Sequence, residues 1–473
     1  MVIMVGNCPH FLKGDDMRED TICALATAAV ESGIGIIRVS GPDAVPIVSR
    51  LVRSKSGHAV DISETHRIKY AFIYDGEEAL DEVLILTMLA PRSYTGEHTV
   101  EIDCHGGVLM MRKILEAVVR AGARLAEPGE FTKRAFLNGR IDLSEAEAVG
   151  DIITSENENA LKASVRQLRG SVSREIKAYR AQILEDDAFI EAGLDDPEHI
   201  SLDGFTEELK QHVEKILSGI EQLIESANDG RRLREGIRTV ILGKPNAGKS
   251  SLLNALVGSD RAIVTDIAGT TRDTLEEHIN LKGVSLTIVD TAGIRTTEDT
   301  VEKIGVERAL KAASDADLLI YVVDASVPLD DSDEKIIAEL GNRKCIVLMN
   351  KSDLQAVISE KELEKKTGRP VISISAKLET GMELLEEKIR EMFFHEELRF
   401  NDQVIITNER HKYCLCEAEK ALEEVLHSIA MDMPEDFYTI DLMRAYEELG
   451  YILGEQVSED LVNEIFSKFC MGK

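Results

Sequence analysis

Between residues 243 and 250 the chain reads Gly243-Lys-Pro-Asn246-Ala247-Gly248-Lys249-Ser250. That spacing suits a bound phosphate. Glycines let backbone N–H groups turn inward around anionic oxygens, Lys249 supplies a point charge to the β and γ oxygens, and Ser250 offers a hydroxyl to Mg²⁺. The run Thr239 to Leu242 just before it reads as a strand, which gives the strand-to-helix context that a phosphate loop requires. The expected contacts are Asn246, Ala247, Gly248, Lys249, Ser250 and Ser251, with Lys249 acting on the transferred phosphate.

Three further pieces follow in the order a guanine-nucleotide domain needs. Asp290-Thr291-Ala292-Gly293 closes the strand-like run Ser285 to Val289, where a carboxylate can hold Mg²⁺ through water and Gly293 N–H can sense the γ-phosphate. Asn350-Lys351-Ser352-Asp353 ends the run Cys345 to Met349; Asp353 can accept from guanine N1–H and N2–H, which adenine does not present together. Ser375-Ala376-Lys377 follows Val371 to Ile374 and offers backbone N–H to guanine O6. In this order the motifs select GTP over ATP. Between the phosphate loop and the next strand lies Thr265-Asp266-Ile267-Ala268-Gly269-Thr270-Thr271-Arg272-Asp273, in the place of a switch loop, and Thr271 can give its hydroxyl to Mg²⁺ and its N–H to the γ-phosphate.

Hydrolysis also needs a group to orient water. The residue after Gly293 is Ile294, whose side chain does no hydrogen-bond work, and no arginine finger is evident to offset transition-state charge. Asn246, with backbone carbonyls around Thr265, Ile267 and Thr270, could cage a monovalent ion instead. The acids of the next loop, Glu298, Asp299 and Glu302, are each candidates to position water.

The elements that must carry these groups fall into segments. Residues 1–25 show no clear periodicity and read as a poorly ordered lead-in. Over 26–139, β-like runs (Ile36 to Ser40, Ile68 to Tyr74, Glu82 to Leu89, Thr99 to Cys104) surround one helical stretch, Val108 to Ala121, which predicts an α+β domain. Apolar residues recur at three- and four-residue spacing from Asp142 to Glu191 and from Phe205 to Ser226, and helical periodicity returns after residue 401. The economical reading is one discontinuous helical domain, 140–230 with 401–473. Into it is inserted a P-loop G domain over 231–400, whose Val/Ile-rich strands alternate with helices as a mostly parallel sheet demands. The fold class is therefore multidomain α/β.

Bulk properties narrow the partners. With 55 basic against 86 acidic side chains the formal charge is −31, so contact with a polyanion must be local or shared. Seven cysteines without a CxxC pair fit a reducing cytoplasm better than a disulfide framework. No stretch approaches the ~20 consecutive apolar residues of a membrane span, and Asp15, Asp16, Glu19 and Asp20 stand where a cleavable signal would be apolar.

Taken with Tyr94-Thr-Gly-Glu-His-Thr-Val-Glu101, His105-Gly-Gly107, Pro128-Gly-Glu-Phe-Thr-Lys-Arg-Ala-Phe-Leu-Asn138 and the terminal Cys470-Met-Gly-Lys473, these motifs resemble the tRNA modification GTPase family, MnmE or TrmE. The resemblance runs over about residues 25 to 473. It implies a potassium-activated, Ras-like G domain. Asn246 and the backbone at Thr265, Ile267 and Thr270 would hold K⁺, Ser250 and Thr271 would hold Mg²⁺, and Glu302 would orient water. The family further implies a homodimer, with an N-terminal domain like those of folate-dependent one-carbon enzymes. The matching positions for a 5-formyl- or methylene-tetrahydrofolate are Arg38, Glu101, Arg140 and Lys473. Cys470 lies near the pterin in the family pattern and has been considered catalytic; following Ile465, Phe466 and Phe469, it could equally pack a helix end. Two departures stand out. Ala28 to Ile34 lacks the proline and glycine richness of the family there, and Arg140 replaces what is often a lysine.

The resemblance points to a chain that works with a flavin-dependent subunit, in a heterotetramer, to install a carboxymethylaminomethyl-type group at C5 of the wobble uridine of certain tRNAs. The competing reading is a ribosome-assembly or signalling GTPase that binds RNA as a timer. Against it, no basic RNA-binding module or GxxG loop follows the G domain. A membrane-remodelling GTPase would need a basic amphipathic helix, and these helices are acidic.

Overall fold

A computed structural model of the chain describes residues 20–155, 157–258, 277–281, 284–289, 316–393 and 404–473. They divide into two compact units. One holds the described residues up to Gly150 with Gln167–Ser201 and Pro434–Lys473; the other holds Asp151–Arg166 and Leu202–Met433. Among the described residues no helix is long and apolar enough to cross a membrane.

The first unit is built on a seven-stranded sheet of β1 (Ile22–Leu25), β2 (Gly35–Ser40), β3 (Val52–Arg53), β4 (Arg67–Asp75), β5 (Glu78–Met88), β6 (Thr99–Cys104) and β7 (Arg124–Leu125), in the order β3-β4-β5-β6-β2-β1-β7. Alternation decides which face is buried. Ile37 and Val39 of β2, with Val100 and Ile102 of β6, pack against Ala44, Ile47 and Val48 of the helix Ala44–Leu51 and Ile114 and Val118 of the helix Val108–Arg120. Arg38 and Glu101, one residue out of phase with that set, lie on the opposite face.

In the same unit the helix Ser171–Asp195 packs along the helix Asp436–Leu453. Arg180, 7% exposed, locks them: its guanidinium donates to both carboxylate oxygens of Glu455 (2.5 and 2.6 Å) and to Tyr446 O (3.1 Å), and stacks on the Tyr446 ring. A buried guanidinium is tolerable only with its donors engaged in this way.

The second unit carries a six-stranded sheet, β13-β12-β11-β8-β10-β9, comprising β8 (Ile237–Gly243), β9 (Glu277–Leu281), β10 (Val284–Ile288), β11 (Leu318–Asp324), β12 (Cys345–Asn350) and β13 (Val371–Ser373). Only the β9/β10 pairing is antiparallel. The central strands β11 and β12 are apolar along nearly their whole length because both faces are covered, whereas β9 and β10 alternate. Ile241, Ile320, Leu348 and Ile374 meet the helices Lys249–Gly258 and Met382–Phe393; Leu242, Tyr321, Val347 and Met349 face Ile336 and Leu363 from the helices Asp331–Glu339 and Glu360–Thr367. The helix Phe205–Glu235 packs along Glu409–Ala430 within this unit.

Several expectations shift. The lead-in ends before residue 21, because Ile22–Leu25 is a strand paired to β2 and β7; an apolar run with three successive buried residues on both faces and a part-buried Leu25 leaves no alternation to read. The short helices Ala44–Leu51 and Glu130–Leu137 join the expected Val108 stretch. The boundary at 231 falls inside the helix that ends at Glu235, where Gly236 adopts φ 78°. Helices of the segments 140–230 and 401–473 pair within each compact unit, Ser171–Asp195 with Asp436–Leu453 in the first and Phe205–Glu235 with Glu409–Ala430 in the second.

Candidate functional site

The phosphate loop forms where β8 runs out. Gly243 (φ 150°) lies beside the β11 backbone, and a Cβ there would sit 2.5 Å from Val322 O; Gly248 (φ 98°) faces Asn350, whose amide nitrogen would lie 2.1 Å from a Cβ. Only glycine fits either position. Asn246 takes a left-handed backbone (φ 60°) with its side chain exposed, and the helix Lys249–Gly258 starts directly after the loop. The N–H groups at a helix start and the helix dipole make that point favourable to an anion. Lys249 Nζ donates to Gly243 O (2.7 Å) and Lys244 O (2.8 Å), which holds the ammonium over the loop.

Asn350 ties three motifs together. It is 2% exposed, its amide donates to Ala247 O (2.9 Å) in the phosphate loop, and its Oδ1 accepts from Ala376 N (3.0 Å). Next to it Ser375 Oγ donates to Asp353 Oδ1 (2.6 Å), and that bond, with the nearby cations Lys377 and Lys351, holds the Asp353 carboxyl below the usual carboxylate range. Asp353 remains an exposed, ionised acceptor, as reading guanine N1–H and N2–H requires. Ser352 N donates to Ile374 O (3.1 Å), fixing the loop on β13.

Two contacts here gave no signal at the level of motifs. Lys351, with φ 62°, reaches Asp324 at the end of β11, Nζ to Oδ2 2.5 Å. Lys244 bonds both Asp333 (2.6 Å) and Asp330 (2.9 Å); burial alone would push its ammonium down, but the two carboxylates outweigh that and raise it. Asp333, 1% exposed, also accepts from Tyr321 OH (2.7 Å) and caps Asp330 N (3.0 Å), so this buried carboxylate is fully engaged. Asp324 could have been noticed as the first polar residue after six apolar ones, at the C-terminal edge of a parallel sheet where ligands gather.

In the first unit a second cluster forms. Arg38 and Glu101 are register partners on β2 and β6, and they pair directly: Nε and Nη2 both reach Oε1 at 2.8 Å. Arg38 Nη1 also donates to Gly472 O (3.1 Å), which draws the chain's C-terminus onto the sheet. Phe131 N donates to Lys473 O (3.1 Å). Burial pushes the Lys473 ammonium down and the neighbouring Arg38 adds to the effect, against a smaller pull from Glu101. Arg140 joins through Tyr94: its guanidinium lies 5.2 Å from the ring centroid and that of Arg38 lies 5.5 Å away, while Tyr94 OH bonds Thr132 Oγ1 (2.8 Å). Tyr94 opens the run Tyr94 to Glu101, whose spacing assigns it no role; the folded chain sets it between two cations.

Cys470 is exposed rather than packed into a helix end; its carbonyl accepts from Gly129 N and Lys473 N (3.4 Å each). Of the nucleotide-site expectations, Asn246 to Ser251, Asn350 to Asp353 and Ser375 to Lys377 converge on one edge of the sheet. Thr265 to Thr271, Asp290 to Gly293 and Glu302 lie outside the described residues. Among the described residues no cluster of three or more histidine, cysteine or acidic side chains could hold a metal ion.

Comparison with known proteins bears on both clusters. A family model described as the MnmE helical domain matches residues 143–470, and one described as the N-terminus of the GTP-binding protein TrmE matches residues 21–140. The tRNA modification GTPase MnmE of Lachnoclostridium phytofermentans is 55% identical over 459 residues, covering 97% of this chain and 100% of that protein. The protein of the same name from Clostridioides difficile is 45% identical, covering 96% and 99%. Among solved structures, the G domain of the T. maritima FeoB iron transporter is 33% identical, covering 33% of this chain and 97% of that one at a TM-score of 0.25.

Proposed function

The chain belongs to the MnmE family of tRNA modification GTPases, and from that premise we propose that it is a potassium-activated GTPase acting with a flavin-dependent subunit. Together they would add a carboxymethylaminomethyl-type group at C5 of the wobble uridine, drawing a carbon from a tetrahydrofolate. The reading has it work as a homodimer in a reducing cytoplasm; none of the six cysteines among the described residues is in a disulfide, which is consistent with that compartment.

In the G domain, N–H groups of the loop and helix start cradle the phosphates and Lys249 neutralises the transferred one. Asp353 and a backbone N–H of the Ser375-Ala376-Lys377 run are assigned to read guanine. Ser250 and Thr271 are assigned to Mg²⁺, and Asn246 with the backbone of Thr265, Ile267 and Thr270 to K⁺. Two observations fit: Ser250 stands in the first turn after the loop, and the exposed amide of Asn246 is carried on a left-handed backbone within it. When bound, the two ions supply positive charge where the phosphates become more negative. Glu302 is assigned to orient the attacking water, the work that Ile294 does not do.

The folate assignment rests on Arg38, Glu101, Arg140 and Lys473. Two guanidiniums and an ammonium gathered near one carboxylate make a locally cationic site in a chain of net charge −31, which suits a ligand with a pterin edge and an anionic tail. Bound there, the folate supplies the one-carbon unit; these residues hold and orient it. Cys470, exposed beside this group, is the assigned candidate for chemistry at the carbon.

The observation that carries the proposal is the joint presence of a guanine-selective phosphate site and this cationic C-terminal cluster in a chain 55% identical to a tRNA modification GTPase. Nucleoside analysis of tRNA from cells lacking the chain tests it. The expected result is loss of C5-substituted uridine at the wobble position; an unchanged nucleoside profile rejects the proposal.

A further inference from the structure

Within the base-reading motif the ammonium of Lys351 meets a carboxylate at the end of a neighbouring strand, that of Asp324. Asp324 is the last residue of β11, register partner of Asn350 on β12, and Ala325 N donates to Asn350 O (2.9 Å). The carboxylate is held from one side by its own turn: Oδ1 accepts from Ser326 N (2.9 Å) and Ser326 Oγ (2.6 Å). Its other oxygen takes the Lys351 ammonium at 2.5 Å, with side-chain exposures of 11% for Asp324 and 32% for Lys351.

Lys351 stands between Asn350, which joins the phosphate loop, and Asp353, which is positioned to read guanine. Its left-handed φ turns it out of the strand path. With the ammonium engaged, what remains to meet a nucleotide is the four-methylene stem, and a flat purine face is the ligand surface such a stem covers. A free lysine would have to surrender its rotamer freedom on binding; a tethered one has done so already.

We propose that Asp324 is a positioning residue for the guanine pocket, tethering the Lys351 ammonium so that the lysine stem is ordered before the base arrives. It acts through Lys351, not by touching the nucleotide, and it deepens the GTPase reading on which it rests. Asp353 governs which base is accepted. Asp324 governs how tightly any base accepted there is held.

Titration of the full chain with a fluorescent GDP, alongside steady-state GTP turnover, tests the tether in Asp324→Asn, Lys351→Met, the double variant and Ser326→Ala. Losing the tether alone should weaken GDP binding and raise KM for GTP by about tenfold, the scale set by releasing a long side chain, with kcat changing much less. In the Lys351→Met background Asp324→Asn should add no further loss, because nothing is left to tether. Ser326→Ala, which removes one turn bond and leaves the carboxylate charge, should cost less than threefold or so.

Additive losses in the double variant would overturn the proposal, as would a Ser326→Ala defect equal to that of Asp324→Asn, since the aspartate would then serve only its turn. Failure of the unaltered chain to bind GDP would instead sink the guanine-nucleotide reading itself. Thermal unfolding of each variant separates a misfolded chain from a weakened pocket, and Asp324→Glu, which keeps the charge, should recover part of the affinity.

Discussion

Glu130 shows how much one side chain settles in the N-terminal unit. It is 3% exposed and accepts from Arg124 (2.7 and 3.1 Å), Arg134 (3.0 Å) and its own helix start at Glu127 N (2.8 Å). Burial works to raise its carboxyl, but those donors prevail and hold it below its ordinary value of 4.5. A carboxylate depressed in the folded state contributes stability above its unfolded value and loses it as pH falls through the folded one. Glu130→Gln should therefore cost about 2–3 kcal/mol near neutrality, because the buried Arg134 and the partly exposed Arg124 each lose one charge partner while keeping Asp20. Denaturant unfolding measured across pH should show the gap between variant and parent narrowing below about pH 4.5; a gap of constant size would reject the account.

At the scale of elements, the nucleotide site is a strand, a turn and a helix start. β8 is apolar from Val240 to Leu242, Gly243 and Gly248 allow the backbone to wrap, and the helix from Lys249 presents its N–H groups. Asn246 alone of the turn combines a left-handed backbone with an exposed side-chain oxygen, which motivates its assignment to a monovalent cation. GTP turnover should be faster by roughly tenfold or more in K⁺ than in Na⁺, since a fixed cation then stands where other GTPases use an arginine finger. Asn246→Gly preserves the backbone conformation and should remove most of the difference. Equal rates in both salts for the parent chain would dismiss the ion cage.

Across the whole molecule, the two clusters belong to different compact units, each with its own core: Lys473 lies on the first, the phosphate loop in the second. Damage to one should leave the other's elementary chemistry standing. Lys473→Met keeps the backbone bond from Phe131 N and removes only the ammonium. Such a chain should turn over GTP at close to the parental rate while failing to restore C5-modified uridine in cells lacking the gene. A matching fall in GTP turnover would count against a separate role for the terminal lysine.

Much of this was legible from short stretches of chain. The phosphate loop, Asn350 to Asp353 and Ser375 to Lys377 each draw their chemistry from a few consecutive residues, and the apolar runs before them announce buried parallel strands, so the sequence by itself determined that a guanine-nucleotide domain exists and roughly where. It did not reveal that Ile22–Leu25 is a strand, since burial on both faces erases the period-two pattern. Nor could it show Arg38 paired with Glu101, Gly472 O brought to Arg38 across 434 positions, or Asp324 waiting for Lys351. Those contacts depend on strand register and on the return of a distant chain end. Both are set by the summed packing of a core, which no local spacing encodes.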